Sequence, residues 1–430
     1  KKANVKTNAS ALRTRCGRIC ASALATILLA GVAAAAEELP GHAHAALPVD
    51  ESLTLAATID AALATFPESV ALAARQNEAD AWVDRGSSWF SARPSLMLRY
   101  QTDRLGSDAG LDEYEAGIAL PIWNWGGRDA VQGFSDALFQ ESAAAGVALR
   151  WQVAGLVRMA MWDVALTEND HELAEQALDT ADHLVRLVER RHELGDVALG
   201  DVLLAKTSYL EFQTALIEAS ASLLDAERTY RTITGLDRRP TFGREPLSTL
   251  TGIPGDHPAL AFANAAVARA EADVNVAEKT VNTGTSVLIG ARRERPAFGP
   301  EFDDSVGITL SIPFGGTAHR NTAISKSAYA ASMARADRNS TLRELSLALH
   351  EAAHGLNVVH QNLEAANARL QFAERHQAMG EVAYEKGEIE LVDLLRMQAT
   401  TVAARRQVSR LTIDEKRQTA RYNQAVGDYP

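Results

Sequence analysis

Residues 114–128 read Tyr114-Glu115-Ala116-Gly117-Ile118-Ala119-Leu120-Pro121-Ile122-Trp123-Asn124-Trp125-Gly126-Gly127-Arg128. Tyr114, Ala116, Ile118 and Leu120 alternate with Glu115, Gly117 and Ala119, the two-residue period of a strand with two unlike faces. Pro121 closes that run. A long helical pattern without proline then begins near Arg128. The same step is written again 192 residues later. Val306, Ile308, Leu310 and Ile312 alternate in the same phase, Pro313 matches Pro121 and Arg320 matches Arg128. At the same offset Gly195-Asp196 matches Gly387-Glu388, and Asp201-Val202-Leu203 matches Asp393-Leu394-Leu395. Phe66-Pro67 and His257-Pro258 agree to within one residue. One such match could arise by chance, but an ordered series at one offset marks a duplicated unit.

Working outward, each copy has one plan. A helical pattern opens it, Ser52 to Arg85 in the first and His257 to Thr283 in the second, with Ser52 as a plausible N-cap and Pro67 and Pro258 suited to helix starts. A strand pair follows. Leu96, Leu98 and Tyr100 are expected to partner the strand at Tyr114, and Val287 to Ala291 is the weaker equivalent. The connections at 103–112 and 293–304 are rich in Gly, Asp, Arg and Pro, as loops are. Very long helices are then expected over about 128–192 and 320–386, each roughly 95–100 Å at 1.5 Å per residue. Gly195 and Gly387 break the pattern, and second helices return over about 201–234 and 391–426. The expected division is an export signal at 1–36, a first repeat at 37–234, a linker at 235–256 and a second repeat at 257–430.

Composition limits what such a chain does. Its 43 basic and 55 acidic side chains leave a formal −12, which argues against nucleic acid as a partner. The first 36 residues hold Lys1, Lys2, Lys6, Arg13, Arg15 and Arg18 and no acid, then an apolar run from Ile19 to Ala36, the pattern of a secretory signal. With that segment removed, −12 becomes −18. Cys16 and Cys20 leave with it, so thiol catalysis, disulfides and Cys-bound zinc are not expected of the rest. Past the signal no stretch approaches about 20 consecutive apolar residues. Two strand pairs give four strands, too few to close a barrel, whereas three copies would supply twelve. Trp89, Phe90, Trp123, Trp125, Phe298, Phe302 and Phe314 cluster at the strand ends, as in the aromatic girdles of membrane barrels; the bland alternative is a packed soluble core.

With these residues in place, the chain resembles the TolC-like outer-membrane efflux channels. The resemblance is carried by Leu53-Thr54-Leu55 to Phe66-Pro67, by Ile118-Ala119-Leu120-Pro121 to Gly126-Gly127-Arg128, by Ile308 to Gly316, and by the two tips at Gly195 to Leu203 and Gly387 to Leu395. It implies a mainly α fold with a membrane β-barrel: long antiparallel helical hairpins and two β-hairpins per protomer, assembled as a homotrimer. A twelve-stranded barrel in the outer membrane would stand on an α-helical barrel in the periplasm. It further implies outer-membrane lipid around the strands, a periplasmic adaptor protein at the tips, a resistance-nodulation-division-type pump in the inner membrane, no cofactor and no enzymatic step. Arg292-Arg293-Glu294-Arg295-Pro296 before Ser305-Val306-Gly307-Ile308 looks closest to the heavy-metal branch (cobalt-zinc-cadmium type). By matched position, Asp393 and Asp201 correspond to carboxylates that ring the periplasmic entrance, with Gly195, Asp196, Gly387 and Glu388 at the adaptor-docking tips. The family's second aspartate is Arg396 here, and an Asp393–Arg396 pair would weaken such a ring. The plain alternative is that these acids favour helix starts.

One motif points elsewhere. His350-Glu351-Ala352-Ala353-His354 fits H-E-x-x-H, the helix signature of zinc proteases, with Glu351 as general base and His360 or Glu374 as a conceivable third ligand. It lies inside an uninterrupted helical pattern, where His360 would point roughly 80° away from His350. The first copy has Arg158, Met159 and Trp162 at the matching positions. A zinc endopeptidase is therefore carried as one rival and a periplasmic adaptor with helical hairpins as another. His350 and His354 stay as weak metal candidates, and His42-x-His44 as a mobile segment.

Overall fold

The computed structural model describes residues 47–280, 284–299, 301–314 and 316–430. The expected signal at 1–36, with Cys16 and Cys20, and the His42–His44 pair lie outside the described residues.

The chain begins with α1 (Leu55–Thr65) and α2 (Ser69–Ser87), where one helical stretch from Ser52 was expected. Thr54, not Ser52, caps α1, its hydroxyl accepting the Ala57 N–H at 3.1 Å. The break falls at Phe66-Pro67. Phe66 takes the extended ψ of 128° that a residue before proline prefers, and the two helices meet at 71°. In the second copy Pro258 instead occupies the first turn of α5 (Pro258–Thr280), where its missing N–H costs nothing.

Four strands follow the helical openings: β1 (Ser95–Thr102), β2 (Asp112–Pro121), β3 (Ser286–Arg295) and β4 (Asp303–Ser311). They form one antiparallel sheet in the order β1-β2-β3-β4. β3 runs on past the expected end at Ala291, through Arg292 and into Arg293-Glu294-Arg295, residues expected in the loop. Those charges belong in a strand because each has a partner: Arg292 Nε lies 2.9 Å from Glu113 and Arg293 Nε 3.7 Å from Asp304.

The long helices are α3 (Gly127–Glu193), α4 (Leu199–Thr234), α6 (Thr317–Glu385) and α7 (Leu391–Val426). α4 and α7 start and stop 192 residues apart. Both end on a left-handed glycine, Gly235 at φ 67° and Gly427 at φ 83°. α3 packs along α4 and α6 along α7. On α6 the buried Ala331, Leu345, Ala352, Val359, Ala366 and Ala373 recur at multiples of seven, the spacing of helices that coil about each other.

The largest apolar cluster joins α1, α3 and α4 through Ile59, Ala62, Val153, Val157, Val164 and Tyr230. The linker after α4 is sewn to both copies by Arg158 of α3. Its side chain is 5% exposed, and its guanidinium donates to Glu245 at 3.0 and 2.6 Å, to Gln424 of α7 at 2.7 Å and to the Asp428 carbonyl at 3.2 Å. Among the described residues no single helix is long and apolar enough to cross a membrane.

Candidate functional site: the two-faced sheet and the helical tips

Strand alternation gives the sheet two chemically opposite faces. On one, Leu96, Leu98, Tyr100, Tyr114, Ile118, Ile289, Val306, Ile308 and Leu310 stand side by side and exposed, Leu98 by 72% and Ile308 by 73%. That is a large apolar surface for a chain in water. On the other face Arg99 lies 3.7 Å from Glu113 and 3.6 Å from Glu115, Arg292 meets Glu113 and Glu294, and Gly117 pairs with Gly290. The ladder Arg99–Glu113–Arg292 crosses from the first copy into the second. Nothing in the sequence announces it, since the β2–β3 pairing joins residues about 180 positions apart. Among the described residues the outer edges of β1 and β4 carry no strand neighbour.

The expected aromatic residues occupy the two ends of this sheet. Trp89, Trp125 and Phe314 stand beside the strand ends next to the helices, 88%, 98% and 95% exposed, and Phe298 lies in the β3–β4 connection at the far end. Phe90, Trp123 and Phe302 are half-buried. Trp123 packs against the α2–α3–α5 cluster of Ala79, Val131 and Phe134, and its Nε1 donates to the Ser88 carbonyl at 3.0 Å. Phe302 sits under the guanidinium groups of Arg293 and Arg295, at 5.0 and 5.2 Å.

The tips of the two helical hairpins repeat atom for atom. Gly195 has φ 81° and Gly387 φ 75°, a backbone that only glycine adopts cheaply. Asp196 N donates to the Arg191 carbonyl at 2.9 Å and Glu388 N to the Ala383 carbonyl at 2.8 Å, which closes each helix end with the same six-residue loop. Beyond the turn the copies diverge. The half-buried Asp201 accepts the Ala198 N–H at 3.2 Å and so serves the start of α4. Asp393 is half-exposed and lies 3.5 Å from Arg396 Nη1, the pairing its sequence allows.

The tips also touch each other. Leu184, Val188, Val202 and Ala205 of the first copy share one cluster with Tyr384, Leu391 and Leu394 of the second. Arg191 lies 4.8 Å over the Tyr384 ring and donates to its carbonyl at 3.2 Å. Burial pushes the Tyr384 phenol above its ordinary range; Arg191 opposes that and the Asp201 charge adds to it. The Arg191–Tyr384 contact was missed in the sequence. Its only trace there is that Tyr384 replaces His192 at the matching position.

His350 and His354 lie on exposed helix surface with parallel rings, 6° apart in plane and 6.3 Å between centroids. Neither suggested third ligand reaches them. His360 is held by Glu415 at 3.1 Å and Glu374 by Arg405 at 3.0 Å. Among the described residues no cluster of three or more His, Cys, Asp or Glu is placed to hold a metal ion. The arrangement a zinc protease needs is therefore not assembled within the described chain.

A family model described as outer membrane efflux protein matches residues 45–236 and 255–428. Comparison with curated protein sequences finds no match. Among solved structures, the outer membrane protein VceC of Vibrio cholerae superposes with a TM-score of 0.69 at 17% identity, covering 87% of this chain and 96% of that one. The CmeC outer membrane channel of Campylobacter jejuni gives 0.69 at 15% identity over 87% and 85% of the two chains. The MtrE outer membrane channel of Neisseria gonorrhoeae, in its open state, gives 0.62 at 14% identity over 87% and 88%. At these identities the likeness is one of fold.

Proposed function

The chain belongs to the outer membrane efflux protein family, and from that premise we propose that three copies assemble into the passive exit duct of a tripartite efflux system. The observation that carries this reading is the two-faced sheet: an exposed apolar face, an opposite face of paired charges, and two open edges. An open edge is a liability to a lone chain, and closure removes it. Three four-stranded sheets joined edge to edge make twelve strands, with the apolar face toward lipid and the charged face lining water. The exposed Trp89, Trp125 and Phe314 then lie at one lipid boundary and Phe298 at the other.

Below the barrel the hairpins form a periplasmic tunnel whose tips dock an adaptor, and Asp201 and Asp393 face the narrow end. Opening separates the tips, which requires the Leu184–Leu394 cluster and the Arg191–Tyr384 contact to part. The energy for export comes from the pump, not from this chain. For the cargo we propose heavy-metal cations, supported by the resemblance of residues 292–308 to that branch.

The decisive experiment is mass determination of the detergent-solubilised protein followed by bilayer recording. The expected result is a trimer that conducts ions. A stable, water-soluble monomer without conductance would overturn the reading.

A further inference from the structure

We propose that His350 and His354, together with Asp225 of the neighbouring copy, form a site for a divalent transition-metal ion at each joint between copies. The proposal rests on the trimeric reading above. It starts from two histidines of the H-E-x-x-H stretch that channel function leaves unused. The imidazoles lie one helical turn apart with parallel rings, and both are exposed. Two such imidazoles can grip one ion from the same side, and what they lack is a third ligand.

The internal duplication says what lies opposite them. Shifted by 192, His350 and His354 become Arg158 and Trp162 of α3, and there both positions are buried against α7. Arg158 donates to Gln424, Trp162 packs on Ala420 and Ile413, and Asp163 lies 3.7 Å from Arg417. Within a chain α7 stands between α3 and α6. Closing the ring places α4 of one copy against α6 of the next as α7 stands against α3. α4 carries the mark of that contact. Leu203, Leu210 and Ile217, seven residues apart, are 58%, 56% and 65% exposed, while their counterparts Leu395, Val402 and Ser409 are half-buried.

The same shift turns Arg417 into Asp225, Ala420 into Arg228 and Gln424 into Thr232. The place where a guanidinium meets Asp163, the residue after Trp162, thus holds the exposed carboxylate of Asp225 opposite Gly355, the residue after His354. Two neutral imidazoles and one carboxylate, with positions left for water, suit Zn²⁺ or Ni²⁺. Arg228 is the competing cation on that turn, so the ion must draw Asp225 away from it.

The test titrates the detergent-solubilised full chain with Zn²⁺ alone and with Ni²⁺ alone in a calorimeter. The expected stoichiometry is about one ion per chain. Binding should be lost in His354→Ala, weaken by roughly tenfold or more in Asp225→Asn, and tighten in Arg228→Ala. A separate arm replaces Cys16 and Cys20 by Ser and introduces His354→Cys with Asp225→Cys, which should give disulfide-linked copies on oxidation. A trimer that binds the ions equally well without His354, or whose paired cysteines stay unlinked, overturns the proposal and leaves the duct reading standing. A monomer in the same sample would sink the duct reading itself.

Discussion

Two aspartates at matching positions do different work. Asp201 uses its carboxylate to cap α4, whereas Asp393 faces Arg396 at 3.5 Å with half its side chain exposed. An exposed pair of this kind contributes only about 0–1 kcal/mol to stability. If the tips form the entrance, Arg396→Ala should uncover the Asp393 carboxylates and strengthen block by divalent cations in bilayer recordings, and Asp393→Ala should weaken it. Identical block in both variants would remove Asp393 from the gate. The aspartates and Arg396 were readable in the sequence, and the helix-start alternative raised there is the one Asp201 meets. That bond is local, from the N-cap Ala198 N–H to a carboxylate three residues on at 3.2 Å.

At the scale of the elements, the helices and most of the strands were legible. Alternation of apolar and small or charged residues announced β2 and β4, and unbroken helical stretches ended by Gly195 and Gly387 announced the hairpins. Two boundaries were not. The bend at Phe66 comes from a proline whose effect depends on whether it falls inside a helix or at its start, as Pro67 and Pro258 illustrate. The reach of β3 through Arg295 is decided by cross-strand partners, which local propensity does not contain. The β2–β3 joint leaves no room for a side chain at Gly290. A Cβ on Gly290 would stand 2.8 Å from the Ala116 carbonyl and 3.1 Å from Gly117 Cα, both backbone atoms that cannot turn aside. Gly290→Ala should therefore separate the two hairpins locally and lower the yield of trimer recovered from the outer-membrane fraction, while Gly307→Ala, with open space around it, should not. Equal yields would show that the joint tolerates widening.

At the scale of the whole molecule, one unit used twice explains features that look unrelated in a single copy. It explains why α4 and α7 share their bounds at offset 192, why both end on left-handed glycines, and why the outer flanks of α4 and α6 are left bare. If the duct exports heavy-metal cations, cells lacking the protein should lose tolerance to cobalt, zinc or cadmium salts, and unchanged tolerance would reject that cargo. The sequence by itself determined the duplication, the order and type of the elements and the opposite chemistry of the two strand faces. Those follow from residue periods of 2 and about 3.6, which are local. Only the tertiary structure decided that β2 pairs with β3 to make one sheet, that Arg99, Glu113 and Arg292 form a ladder across the copies, and that Arg191 covers Tyr384 between the tips. The contacts between the copies join residues about 165 to 193 positions apart. The energies of these cross-copy contacts come from groups brought together by the fold, so no short window of sequence contains both partners.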